Sequence, residues 1–232
     1  LENKLETSSK FFKYVFSNFN NGLAALPRKG MQAIPDQLFN KLNRERVIIG
    51  QSVVNIDDSK NVTLDDGIII KGNRLILSGD STNLVDGENG EYNAVKTMYF
   101  STQNDIMNGE YIHLYPKDNI INNVAIPTYL SESYSKNSDH LISLTILESE
   151  ASEIEMVKDI KGRLSKYYGG GPNSYEFLRS INIKTGTLRQ PKGHFNRSQK
   201  NSEDDIYMIG EKVTNGSIEG AVVAGLNVID EF

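Results

Sequence analysis

The last segment constrains this chain more than any other. Asp204-Asp205 leads into Ile206-Tyr207-Met208-Ile209, a short apolar run closed by Gly210-Glu211, and such a run reads as a buried strand. After a short loop, Ser217 stands where a helix N-cap belongs and Glu219 falls in the first turn. Ala, Val, Leu and Ile then recur to Phe232. Gly220, Ala221, Ala224 and Gly225 keep one face of that helix small enough for close approach. A strand that stops at a glycine and an acid, then feeds a helix N-terminus, suits a nucleotide-like ligand. The acid accepts hydrogen bonds from sugar hydroxyls, and the unpaired N–H groups of the first turn bind anionic oxygens. Packing alone is the plainer reading of the same residues.

The bulk of the chain narrows the classes. Its 232 residues allow one large domain or two small ones. A hydrophobic content of 38% with mixed charges is that of a globular protein. No apolar run reaches the length that crosses a bilayer. The net charge of -5 leaves no basic footprint, so nucleic acid is not an expected partner. The absence of cysteine excludes disulfides, thiolate metal sites, a cysteine nucleophile and a cysteinyl flavin link. His113, His140 and His194 lack ligand spacing, so no metal site is expected. No secretory signal is visible, which points to the cytoplasm, and Leu1 in place of Met fits a processed or truncated start.

Along the chain, Phe12, Phe16 and Phe19 recur at helical spacing within 8–19, predicting an amphipathic helix with a buried face that packs in the core or lines an apolar cavity. A second helix is expected to about Leu42, with Pro35 near its start. Residues 46–57 read as a strand, 62–64 as another, and Asp65-Asp66-Gly67 as a tight turn. Residues 68–70 and 74–77 complete a meander that ends at Ser78-Gly79-Asp80. A polar crossing over 81–91 follows, then strands over 97–101, 111–115, 123–127 and 140–147 with antiparallel spacing. Residues 148–168 read as a helix with Ile154, Met156, Val157, Ile160 and Leu164 as its apolar stripe, ended by Gly169-Gly170-Gly171-Pro172. Residues 176–183 give a further strand. Tyr99, Tyr111, Tyr129 and Tyr175 are candidates for a cavity wall, and 187–203, with His194 and Arg197, forms a charged connector.

The terminal segment, DIYMIGEKVTNGSIEGAVVAGLNVIDEF, resembles the C-terminal FAD-binding signature of the flavin-containing amine oxidase and phytoene desaturase superfamily. Gly210, Glu211, Ser217, Ile218, Gly220 and Ala221 fall on that pattern, with Glu211 where Asp is commoner. The resemblance implies that Glu211 holds the ribityl or pyrophosphate region of FAD. It also implies that Ser217, Ile218, Glu219, Gly220 and Ala221 open a helix aimed at the flavin. GMQAIPDQLFNKL, VIIGQSVVNID, VTLDDGIII and RLILSGD are similar to the middle of the family's FAD domain, which implies a backbone contact from Val53 to the adenine end. VAIPTYLSESYSKNSDHLISLTIL resembles the substrate-domain sheet over the flavin.

The implied fold is α/β with α+β, part of an FAD/NAD(P)-binding Rossmann-like layer interleaved with an antiparallel-sheet substrate domain. Residues 1–29 and 81–186 are assigned to the substrate domain, and 30–80 and 187–232 to the FAD-binding layer. No Gly-x-Gly-x-x-Gly turn between a strand and a helix is present, so the resemblance covers about the C-terminal half of a family member. The lost first strand would leave pairing edges open, which predicts an N-terminal partner chain, a homo-oligomer or poor solubility. The expected function is that of an FAD-dependent oxidoreductase, or its C-terminal portion, moving a hydride from a C–C or C–N bond of an apolar small molecule to flavin. No catalytic acid or base is assigned. The alternative is a non-catalytic interaction subunit or truncated relative that has lost FAD.

Overall fold

The computed structural model describes residues 6–86, 92–147, 151–192, 202–203 and 205–229. Helices and three sheets combine in it, as the expected α/β class requires. The chain divides into two compact units, one of Ala24–Lys41 and Ala94–Gly186, the other of Glu2–Leu23, Leu42–Asn93 and Thr187–Phe232.

The first unit is built on a five-stranded sheet in the order β6 (His113–Leu114), β7 (Ile121–Ala125), β8 (His140–Ile146), β5 (Tyr92–Thr102), β9 (Glu176–Leu188). The β6–β7, β7–β8 and β8–β5 pairs are antiparallel. Alternation puts Met98 and Phe100 of β5 and Ile142, Leu144 and Ile146 of β8 on one buried face. Helix α4 (Glu153–Tyr168) meets that face with Met156, Ile160 and Leu164, spaced one turn apart and buried with it in a single core. Each such side chain contributes about 1.5–3 kcal/mol of burial. Ile154 departs from the expected stripe: it is exposed, because two residues before Met156 it turns to the opposite side of the helix. The short helix α2 (Ala33–Phe39) belongs to this unit and carries Pro35 in its first turn, as expected.

The start of α4 is fixed by a capping box. Ser152 Oγ accepts from Glu155 N at 3.4 Å, and the Glu155 carboxylate accepts from Ser152 N at 3.1 Å. Ser152→Ala is expected to cost about 1 kcal/mol, read as a lower midpoint in urea with an unchanged slope. At the other end, Gly169 takes φ 82 and stops the helix where the glycine run was expected to.

The second unit holds two small sheets. In the first, β1 (Val53–Ile56), β2 (Asn61–Leu64) and β3 (Ile69–Lys71) form an antiparallel meander. Asp57 Oδ1 takes the N–H groups of Ser59 and Asn61, each at 2.9 Å, to close the first turn. The Asp66-Gly67 turn closes the second, with Gly67 at φ 86. The strand expected over 46–57 is confined to Val53–Ile56, since Arg44–Arg46 is a 3-10 turn and Gly50 takes φ 82.

The segment expected to complete the meander leaves it instead. Strand β4 (Leu75–Ser78) pairs in parallel with β11 (Ile206–Ile209), while β10 (Ser202–Glu203) runs antiparallel on the other edge of β11. Three helices complete the unit: α1 (Ser9–Asn21), α3 (Asn83–Asp86) and α5 (Ile218–Ile229). Here α1 clusters with the terminal strand and helix, and Ala24–Lys41 with the antiparallel sheet. These clusters differ from the sequence-based division at 6–23, expected with the antiparallel sheet, and at 30–41, expected with the other layer, because local pattern marks helices but not the element they dock on. The phenylalanine face of α1 also differs from expectation. Phe12, Phe16 and Phe19 are exposed by 66%, 63% and 64%, because the helix is held to the unit by its opposite side. His194 and Arg197 lie outside the described residues.

Candidate functional site at the ends of two parallel strands

The β4–β11 register aligns Leu75 with Ile206 and Ser78 with Ile209, so the two strands finish level. Each is followed by a glycine in the left-handed region, Gly79 at φ 60 and Gly210 at φ 110, and then by an acid, Asp80 and Glu211. A Cβ on Gly210 would meet only ordinary contacts, Ser78 Oγ at 3.6 Å and Gly79 N at 3.8 Å. Backbone conformation, not space, is what calls for glycine there. In open α/β sheets, ligands collect beyond the carboxyl ends of parallel strands. This pair presents two such ends side by side.

The loop from Gly210 to Ser217 returns to the same place. Thr214 Oγ1 donates to Gly220 O at 2.7 Å and lies 3.3 Å from Gly210 O, tying the end of β11 to the first turn of α5. Lys212 Nζ donates to Asn83 Oδ1 on α3 at 2.6 Å. The buried Gln190 accepts from Gly216 N at 3.0 Å. Ser217 caps α5 as the sequence predicted, accepting from Gly220 N at 2.9 Å while its hydroxyl donates to Asn215 Oδ1 at 2.6 Å. The N–H groups of Ile218 and Glu219 find no acceptor among the described residues.

Seven of the eight predicted residues therefore meet around one turn: Gly210, Glu211, Ser217, Ile218, Glu219, Gly220 and Ala221. Val53 does not join them. It opens β1 on the meander sheet, half-exposed, opposite Leu64. Two details alter the reading of the rest. Gly220 is small because of its own capping loop: a Cβ there would stand 2.3 Å from Asn215 O. Ala221 is exposed, and Ala224 rather than Ala221 shares the buried face with Gly220 and Val228.

Tyr14 was missed by sequence reasoning. Its hydroxyl donates to the Glu219 carboxylate, joining α1 to the first turn of α5. That bond raises the Tyr14 phenol above its ordinary value, with burial adding to the effect. No local signal joins positions 14 and 219. The repeated glycine-acid pair at 79–80 and 210–211 was visible, and it is the one sequence signal that could have found the β4–β11 end.

The tyrosines expected to line a cavity are occupied otherwise. Tyr175 is fully buried, with its hydroxyl on Gly169 O at 2.9 Å. Tyr129 takes Ile106 N at 2.7 Å, donates to Asp105 and stacks on His140 at 4.4 Å. Tyr111 is exposed and Tyr99 is half-buried in β5. A groove along α4, lined by Lys158, Asp159 and Tyr167 among others, is open and contains none of the predicted residues. Among the described residues no group of three or more His, Cys, Asp or Glu could hold a metal.

A UDP-galactopyranose mutase in its reduced form superposes with a TM-score of 0.71 at 14% identity, over 89% of this chain and 51% of that one. The PF1083 protein of Pyrococcus furiosus gives 0.63 at 13%, over 88% and 52%. An oxidoreductase from Methanosarcina mazei gives 0.55 at 17%, over 78% and 49%. This chain shares their fold. It spans about half the length of each of these structures. No protein-family model matches the sequence, and no curated protein matches it. Among the described residues no helix is long and apolar enough to cross a membrane.

Proposed function

We propose that this chain is the C-terminal portion of an FAD-dependent oxidoreductase of the amine oxidase and phytoene desaturase kind. The observation that carries the reading is the paired strand end: β4 and β11 stop level at left-handed glycines followed by acids, and α5 opens from the same turn. The residues present fit a dinucleotide. The left-handed Gly210 is the backbone form that a close approach uses. Glu211 accepts hydroxyl donors, and the Ile218 and Glu219 N–H groups suit anionic oxygens. Ser217 and Gly220 hold that turn in shape, and Val53 is assigned to the adenine end by resemblance alone. When bound, FAD supplies hydride acceptance. The chain's own residues bind and orient it.

The Rossmann-like layer is assigned to 42–80 and 187–232, and the antiparallel sheet of the first unit to an apolar substrate. The pyrophosphate turn, which these 232 residues do not contain, is assigned to an N-terminal segment or partner chain, and a homo-oligomer is the alternative cover for the open strand edges. The cytoplasm is the proposed compartment. An absorbance spectrum of the purified chain, alone and after mixing with FAD and desalting, tests the reading. Flavin bands that survive desalting would mean that the site forms without the pyrophosphate turn. Glu211→Ala should weaken FAD binding by roughly tenfold or more, as the loss of a charge-assisted hydrogen bond implies. A colourless chain that ignores FAD would remove this site from the list of self-sufficient flavin sites.

A further inference from the structure

Gln190 lies against the turn that opens α5 and is only 4% exposed. Its backbone oxygen accepts from the N–H of Ser8, the cap of α1, at 2.8 Å. Its side-chain Oε1 accepts from Gly216 N at 3.0 Å. The other half of the carboxamide is idle. The Nε2 amino group carries two N–H donors and finds no acceptor among the described residues. Buried side-chain donors are paired in the large majority of cases, so a buried amino group without an acceptor has a cause.

The loop is shaped around that group. A Cβ on Gly216 would stand 2.9 Å from Nε2 and 3.4 Å from the carboxamide carbon, so glycine lets the loop lie directly on the amide. Ser217, next in the chain, caps α5, and the N–H groups of Ile218 and Glu219 that follow find no acceptor among the described residues. A buried donor and an open helix N-terminus therefore meet at one turn, from two separate stretches of sequence. Donors that lack acceptors suit a ligand that brings oxygen acceptors, either phosphate oxygens or ring carbonyls. We propose that Gln190 is a binding residue of this site. Oε1 holds the Gly216 N–H and sets the turn, while Nε2 donates to an acceptor oxygen of the bound dinucleotide. Gln190 thereby joins the flavin site proposed above, on which this role rests, although no motif marks it.

Nuclear magnetic resonance of the chain, labelled uniformly at nitrogen and titrated with FAD to millimolar concentration, tests the role. The Gln190 amino signals are identified by their proximity to Gly216, and they are expected to move as FAD is added. Riboflavin and ADP, titrated separately, assign the oxygen: movement with riboflavin places it in the flavin half, and movement with ADP places it in the phosphates. Gln190→Glu keeps an oxygen for Gly216 N and replaces the donor with a second acceptor. It should weaken FAD by roughly tenfold, as the loss of one bond to the ligand implies. The wild-type signals decide the matter even where the variant does not fold. If FAD moves the Ile218 and Glu219 amide signals and leaves the Gln190 amino signals in place, Gln190 only shapes the loop, and its binding role is overturned while the flavin site stands. Equal affinity of a folded Gln190→Glu and the wild type overturns it in the same way. If none of these signals moves at millimolar FAD, the role is overturned together with flavin binding by this turn.

Discussion

Replacing Asp118 with alanine is expected to destabilise the first unit by about 3–5 kcal/mol, the cost of breaking a buried ion pair from one side. The side chain of Asp118 is 1% exposed. Its Oδ1 accepts from Ile120 N at 2.8 Å, Ile121 N at 2.9 Å and Arg163 at 2.6 Å, and its Oδ2 accepts from Tyr167. One carboxylate thus closes the turn before β7 and fastens it to the last turns of α4. Alanine leaves the two backbone donors and the guanidinium without that acceptor. Tyr167→Phe removes a single donor and should cost only about 1 kcal/mol.

The same network makes an acid-side prediction. Burial pushes the Asp118 carboxyl up, but the bonds from Tyr167, Ile121, Arg163 and Ile120 outweigh it and hold the group at about 2, against an ordinary 3.8. A carboxylate with a lowered folded value stabilises the fold above its unfolded value and loses that contribution as pH falls through the folded one. The stabilisation is therefore complete above about pH 4 and vanishes toward about pH 2. At about 1.4 kcal/mol per pH unit it amounts to about 2 kcal/mol. Urea midpoints measured across this window should fall for the wild type and fall less for Asp118→Asn. Equal slopes would show that other carboxylates govern acid unfolding.

The terminal strand, turn and helix were legible because each signal there is local: an apolar run, a glycine-acid stop, a serine cap. The antiparallel sheet was legible for the same reason, since β8 alternates along its length. The partner of β11 was not. RLILSGD looks like the last strand of a hairpin meander, and nothing within it says that it pairs in parallel with a strand some 130 residues later. Loop closure on that scale leaves no mark in local pattern. The phenylalanines of α1 teach the complementary limit. Their spacing shows that one face is apolar, and only the anchor at Tyr14 shows which way that face turns. Burial was inferred from periodicity where periodicity reports amphipathicity alone. Gly220 was read as room for a neighbour, and the neighbour proves to be Asn215 in its own capping loop.

That last point separates two glycines of one helix that look alike in sequence. A methyl group on Gly220 would stand 2.3 Å from Asn215 O and 2.9 Å from both Asn215 Oδ1 and Thr214 Oγ1. The first of these atoms is backbone, so the loop itself must shift. Gly220→Ala is expected to cost about 2–3 kcal/mol through overpacking. It should also disturb the Thr214 bond that ties the first turn of α5 to the end of β11, and with it whatever that turn binds. Gly225 lies one turn and a little further on, with nothing within 4 Å of its built Cβ. Gly225→Ala should have the opposite sign, stabilising by about 0.5–1 kcal/mol through helix propensity and a less flexible unfolded chain. Thermal melts of both variants, alongside FAD titrations, read the two effects together. If Gly220→Ala melts lower and loses flavin while Gly225→Ala melts higher and keeps it, the turn at 214–220 is the part of the helix that function depends on. If the two glycines behave alike, the close packing of that turn sets neither stability nor binding, and the function of α5 must lie along its length.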